Sequence, residues 1–200
     1  KIPTNQTVKI FGVPSDLGAN IRGAQIGPSM IRVAGIGPEL SKLGYQVIDG
    51  GDINVPVRET LSTGERKDKY ANEIEKLCLE LKQKVQESVE KQEIPVTLGG
   101  DHSIAIGSIN GVIDAFGKNN KDVGLIWIDA HADLNTPESS PSGNIHGMPL
   151  AQVLGLFDQP FASLRQHSSG LKPENVALIG IRDIDAMERQ ICRDSGIRYY

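Results

Sequence analysis

The chain has 200 residues, 38% of them hydrophobic, and 21 Lys plus Arg against 25 Asp plus Glu give a net charge of −4. That length suits one domain with a sizeable core. Without a basic block nucleic acid is excluded as a partner, because phosphate binding needs clustered Lys and Arg, and apolar runs far below the roughly 20 residues that span a bilayer exclude a membrane helix.

Residues 7–13, TVKIFGV, alternate and then turn apolar, the pattern of a first strand. Pro14, Gly18, Gly23, Gly27 and Pro28 punctuate a long loop. Ser29 opens a helical segment through Ala34, and Pro38 starts another through Leu43, since proline is tolerated in a first helical turn. Residues 45–52 read as a short strand and turn. The clearest helix covers 68–92, where Ile74, Leu77, Cys78, Leu81, Val85 and Val89 form one apolar stripe and Glu and Lys fill the other face. It reads as a sheet-covering helix without chemistry. Ile94–Leu98 is a buried strand, followed by Gly99-Gly100-Asp101-His102-Ser103 and a helix over 104–116. Leu125–Ile128 is the next strand and 148–157 the next helix. A loop rich in Ser, Gly and Pro leads to a strand over 176–180, a helix over 186–195 and a last strand from Ile197.

Strands alternating with helices predict a single domain over 1–200, a three-layer α/β/α fold with a mainly parallel sheet and helices on both faces. The 22 Gly and 11 Pro are dispersed and read as turns. Cys78 and Cys192 lie far apart and form no metal pair. They read as reduced thiols, which favours a cytoplasmic compartment, with a mitochondrial one equally compatible. No secretory signal is visible at Lys1-Ile2-Pro3-Thr4. The chain starts without Met, and Gly196-Ile197-Arg198-Tyr199-Tyr200 reads as the start of a strand, so the expectation is a fragment of a longer protein.

Three strands end in polar clusters: Asp101-His102, Asp129 to Asp133, and Asp183-Ile184-Asp185. Ligands of open parallel sheets bind beyond the carboxyl ends of the strands, so all three clusters are expected at one crevice. If the chain stays extended past Ile128, Asp129, His131 and Asp133 project from one side, because the strand repeat is two. Two carboxylates crowded with an imidazole call for a cation, and these donors suit Mn, Fe or Zn. The competing reading is a hydrogen-bonded strand exit whose acids cap helices; His102 by itself reads as a loop histidine. No Walker-type phosphate loop and no Gly-x-Ser-x-Gly occur, and neither cysteine has a nearby His, so covalent Ser or Cys catalysis is not suggested.

Gly99-Gly100-Asp101-His102-Ser103 together with Asp129-Ala130-His131-Ala132-Asp133 resembles the ureohydrolase family. The continuation Leu134-Asn135-Thr136-Pro137 and Ser142-Gly143-Asn144-Ile145-His146-Gly147-Met148-Pro149 is similar to arginases rather than to agmatinases or formimidoylglutamases. The likeness extends over essentially the whole chain, including the Gly-Pro loop at 23–28 and Gly180–Asp185. It implies an arginase/deacetylase-like fold and a metallohydrolase acting on a C–N bond of a linear amidine. The implied site holds two Mn²⁺ and cleaves L-arginine to L-ornithine and urea through a metal-bridging hydroxide.

Residue by residue, the resemblance puts His102 and Asp133 on one metal, His131 on the other and Asp129 between them. His146 matches the proton-shuttling histidine. Asn135, Ser142 and Asn144 match positions that hold the substrate α-carboxylate, and Asp185 the one that reads the α-amino group. For these four the alternative is ordinary turn chemistry. Asp183 is read as structural, paired with Arg182. The family pattern also has a later strand ending in Asp-x-Asp and a further Glu, with no counterpart in 1–200, so the remaining metal carboxylates are expected beyond Tyr200. A homo-oligomer, trimer or hexamer, is implied as well. Two other readings stay open: a ureohydrolase for another guanidino or amidino compound, and a non-catalytic binding or regulatory protein of the same fold.

Overall fold

A computed structural model describes residues 6–65, 67–165 and 170–200. Residues 1–4, read above for a leader, and part of the Ser/Gly/Pro-rich loop before residue 176 lie outside the described residues. β1 (Thr7–Val13) lies between β2 (Gln46–Asp52) and β3 (Ile94–Gly99) and runs parallel to both, with Val8 opposite Val47 and Ile94. Alternation along β1 divides the core in two. Val8 and Ile10 join Leu98 and meet Ile36 and Leu40 of α2 (Ile36–Lys42). Phe11 and Val13 face Ile74, Leu77 and Leu81 of α3 (Ala71–Glu90). This sheet therefore has helices on both faces, as expected. α1 (Gly27–Val33) precedes α2.

α4 (Ala105–Gly117) packs along α3 at close range. A Cβ on Gly107 or Gly111 would sit 2.6 Å from the carbonyl oxygens of Cys78 and Lys82, so only glycine allows that approach. A buried ion pair lies in the same seam. Lys82 Nζ is 2.7 Å from Asp114 Oδ2 and donates to Leu164 O at 2.6 Å.

β4 (Leu125–Ile128), β5 (Val176–Ile179) and β6 (Arg198–Tyr199) form a second parallel sheet in that order. Trp127, Val176 and Leu178 point into a core with Ile113 of α4, Leu150 and Val153 of α5 (Pro149–Leu154) and Cys192 of α6 (Ala186–Ser195). On the opposite face Ile126 and Ile128 are 67% and 78% exposed. Within the expected parallel α/β class, the described strands form two three-stranded sheets, and Ile126 and Ile128 leave one face of the second uncovered. An apolar run announces a strand but not its lateral neighbours, which are chosen by hydrogen-bond ladders between distant segments.

Two helix limits also shift. The third helix starts at Ala71 because Tyr70 is left-handed (φ 57°), and α5 ends at Leu154 because Gly155 takes the left-handed C-cap (φ 77°). Among the described residues no helix is long and apolar enough to cross a membrane.

Candidate metal centre

The end of β3 passes against the end of β1. Gly100 N donates to Val13 O at 3.3 Å and Asp101 N to Ser15 O at 2.9 Å. A Cβ on Gly100 would press on the Ser15 carbonyl oxygen and lie 2.7 Å from that of Val13, so the crossing needs glycine. Asp101 then acts as a cap. Its Oδ1 accepts from Ser103 N and its Oδ2 from Gly18 N, both at 3.0 Å. The 3-10 turn His102–Ile104 is fixed in this way, and the His102 ring stacks on Trp127 of β4, centroids 4.3 Å apart. Asp101 is thus held as a cap, while its neighbour His102 faces the acids.

β4 does not continue extended beyond Ile128, which corrects the one-sided projection expected for Asp129, His131 and Asp133. Asp129 Oδ1 accepts from His131 N at 2.9 Å, the local turn that Asp side chains favour over a strand. Asp133 is left-handed (φ 51°), and its carbonyl oxygen accepts from Leu150 N and Ala151 N at the start of α5. The bend sends the side chains different ways. His102 Nδ1 lies 2.8 Å from Asp133 Oδ2 and 3.0 Å from Asp129 Oδ2, and the three ligand atoms fall within 4.8 Å of one another. His131 stands apart, its side chain 57% exposed, with Nδ1 3.4 Å from Asp129 Oδ1 and Nε2 3.5 Å from Asp183 Oδ2. Asp183 does not pair with Arg182, whose Nη1 donates to Gly180 O at 3.2 Å. Both backbone N–H groups of 182 and 183 donate to Ala130 O, which brings Asp183 toward His131 instead.

Burial opposes a charge on His102, but the Asp133 hydrogen bond and the carboxylates of Asp133, Asp129 and Asp101 outweigh it and raise its pKa above the ordinary histidine value. The cluster thus draws positive charge to the point between its three donors. One imidazole nitrogen and two carboxylate oxygens suit one Mn, Fe or Zn ion. For a second ion the described residues offer His131 and the other oxygen of Asp129, short of a full set.

The substrate-side residues fall into two groups. Asn135 Nδ2 donates to Asp185 Oδ2 at 2.8 Å across fifty positions, and Ser139 Oγ donates to Asn135 Oδ1 at 2.8 Å. Asp185 also caps α6. Glu188 N donates to Asp185 Oδ1, Asp185 N donates to Glu188 Oε2, and Glu188 Oε1 accepts from Leu134 N. Burial opposes ionisation of Asp185, yet the Asn135 hydrogen bond and the N–H groups of Glu188 and Met187 prevail and hold its carboxyl below the usual range. Burial pushes Glu188 the other way, up.

Ser142 and Asn144 belong to the second group. Ser142 Oγ accepts from Asn144 N at 3.2 Å, and the buried Asn144 accepts at Oδ1 from Lys69 Nζ at 3.3 Å. His146 is half-buried, and its N–H donates to Gly18 O at 3.1 Å. Glu188, Ser139, Lys69 and the Trp127 stack were not anticipated. Only Glu188 left a sequence signal, since Asp185 followed by Glu three residues on is the capping-box pattern.

The chain matches the Arginase family over residues 6–200. It is 43% identical to the arginase of Bacillus subtilis (strain 168) over 196 residues, which is 98% of this chain and 64% of that protein. Among solved structures, the native arginase of Bacillus caldovelox superposes with a TM-score of 0.90 at 41% identity, over 98% of this chain and 64% of that one. The Entamoeba histolytica arginase in complex with L-ornithine superposes with a TM-score of 0.87 at 35% identity, over 98% and 65%. The chain therefore spans about two-thirds, 64%, of the length of the curated relatives it matches.

Proposed function

Because the chain belongs to the arginase family, we propose that its protein hydrolyses L-arginine to L-ornithine and urea at a site for two Mn²⁺. The observation that carries this reading is the convergence of His102, Asp129 and Asp133 from beyond the ends of β3 and β4, one strand from each sheet. The nearness of Asp129 to both His102 and His131, 3.0 and 3.4 Å, supports its role as the carboxylate shared between ions, with His102 and Asp133 on one and His131 on the other. When bound there, Mn²⁺ supplies Lewis acidity and lowers the pKa of water enough to give a nucleophile near neutral pH.

The protein residues do the rest. Asp185, kept ionised and oriented by Asn135 and the α6 cap, pairs with the substrate α-ammonium. Asn135, Ser142 and Asn144 offer neutral donors to the α-carboxylate. His146 moves the proton to the departing amine, a task for which imidazole is suited near neutral pH. L-Ornithine, the ligand of the Entamoeba histolytica relative, is the expected product. The protein works in the cytoplasm, where two free buried cysteines are compatible with reducing conditions, and it assembles as a homo-oligomer, a trimer or hexamer.

The test is hydrolysis by the complete protein, with and without Mn²⁺, read as urea from L-arginine and agmatine and as formamide from formimidoylglutamate, repeated on His131→Ala. Mn²⁺-dependent urea from L-arginine alone, lost in the variant, supports the reading. No urea from L-arginine in the Mn²⁺-loaded protein overturns it.

A further inference from the structure

Lys69 lies in the turn before α3, outside every element that carries a candidate metal ligand, yet it holds the 135–146 loop twice. Its N–H donates to Gly143 O at 3.1 Å and its ammonium to Asn144 Oδ1 at 3.3 Å. The side chain is half-buried, and among the described residues its ammonium forms no ion pair. Partial burial of an ammonium without a counter-ion is costly, so a neighbouring anion is the missing complement. An ammonium can only donate, which forces the oxygen of the Asn144 amide toward Lys69 and leaves Nδ2 as the donor for a ligand. A charged donor on the oxygen also polarises the amide and strengthens Nδ2 as a donor.

Carboxylates also stand near this turn. Asp68, the preceding residue, has its carboxyl pushed up by burial first and then by Glu65 and Glu138. Glu138 belongs to the same loop as Asn144, so an anionic ligand end meets repulsion there unless a cation offsets it. We propose that Lys69 is a positioning residue for the substrate α-carboxylate: it orients the Asn144 amide and supplies the positive charge that the loop lacks. This rests on the arginine-hydrolysis reading above. Lys69 thereby contributes to preference for an amino acid over its decarboxylated counterpart.

The experiment compares the Mn²⁺-loaded complete protein with Lys69→Met and with Lys69→Gln, which keeps a donor without the charge. Kinetics on L-arginine are paired with calorimetric binding of L-ornithine and of 1,4-diaminobutane, which lacks the carboxylate. Lys69→Met should raise KM for L-arginine and Kd for L-ornithine about tenfold, the loss typical of a charged hydrogen bond, with kcat and diaminobutane binding little changed. Lys69→Gln should weaken ornithine alone as well, and it serves as the readout if Lys69→Met does not fold. Equal weakening of both ligands, or none, overturns the proposal. A wild-type protein that binds ornithine no better than diaminobutane overturns it too, whereas failure to release urea while ornithine preference depends on Lys69 rejects the hydrolytic reading alone.

Discussion

Asp101 and His146 are joined through one residue. Asp101 Oδ2 accepts from Gly18 N at 3.0 Å, and Gly18 O accepts from His146 N at 3.1 Å. Gly18 thus sets the turn that carries His102 and the backbone that carries His146 at once. A Cβ on Gly18 would press on the Asp101 carboxylate and lie 3.0 Å from Ser103 Cβ. Gly18→Ala should cost about 1–3 kcal/mol by overpacking. Activity measured well below the variant's melting temperature should fall as well, because both histidines shift. Unchanged stability and unchanged kcat would show that the loop yields without consequence.

Mn²⁺ should stabilise the fold, by about 2.7 kcal/mol at a hundred times its Kd, and EDTA should remove that gain. Its size should depend on pH. The folded-state pKa of His102 is raised, so its protonation stabilises the metal-free fold fully below the ordinary value of 6.5, and this contribution is lost as pH rises through the folded pKa. Metal needs the same nitrogen deprotonated. The Mn²⁺-dependent rise in Tm should therefore grow as pH increases from about 6.5 upward and shrink on acidification. A Tm increment that is flat across this range would rule out His102 as the group that exchanges proton for metal.

Asp185 serves a helix cap and a proposed ammonium site, and two substitutions separate them. Asp185→Ala loses both and should cost about 1 kcal/mol of stability. Asp185→Asn keeps a good cap residue and should retain that stability while raising KM for L-arginine roughly tenfold or more through loss of charge. Because the folded carboxyl is held below its ordinary value, its ionic contribution is present above about pH 4 and lost as pH falls through the folded pKa. The stability gap between wild type and Asp185→Ala should thus narrow only in acid, as followed by thermal melts at stepped pH.

In the α3–α4 seam, Asp114→Ala leaves the Lys82 ammonium buried with Leu164 O as its remaining recorded partner. Breaking one side of a buried pair costs about 3–5 kcal/mol. The double substitution Lys82→Met, Asp114→Leu removes both charges and should recover most of that loss in urea denaturation. If the double variant is as unstable as the single one, packing of α3 on α4 rather than the uncompensated charge decides the effect.

Among the described residues, the six strands and six α-helices were legible in the sequence within a few residues, since they are marked by apolar runs or stripes and most by Gly or Pro near their ends. The metal ligands were legible as residue types at strand ends. The resemblance already grouped His102 and Asp133 with Asp129, but local pattern alone did not: an extended strand exit would have set His131 beside Asp129 and Asp133, whereas the Asp129 turn and the left-handed Asp133 turn it outward and leave His102 with the two acids. Lys69 and Ser139 left no trace in the sequence, because their contacts depend on where a loop is laid down rather than on local pattern.

The sequence by itself determined the parallel α/β class, the strand ends that bear chemistry and the membership of the family, because hydrophobic periodicity and motif residues are local properties of the chain. Only the tertiary structure decided which strands are neighbours, which face of β4 is covered, and that His102, Asp129 and Asp133 share one point in space. Those are long-range facts, fixed by ladders and packing between segments that the sequence keeps dozens of residues apart.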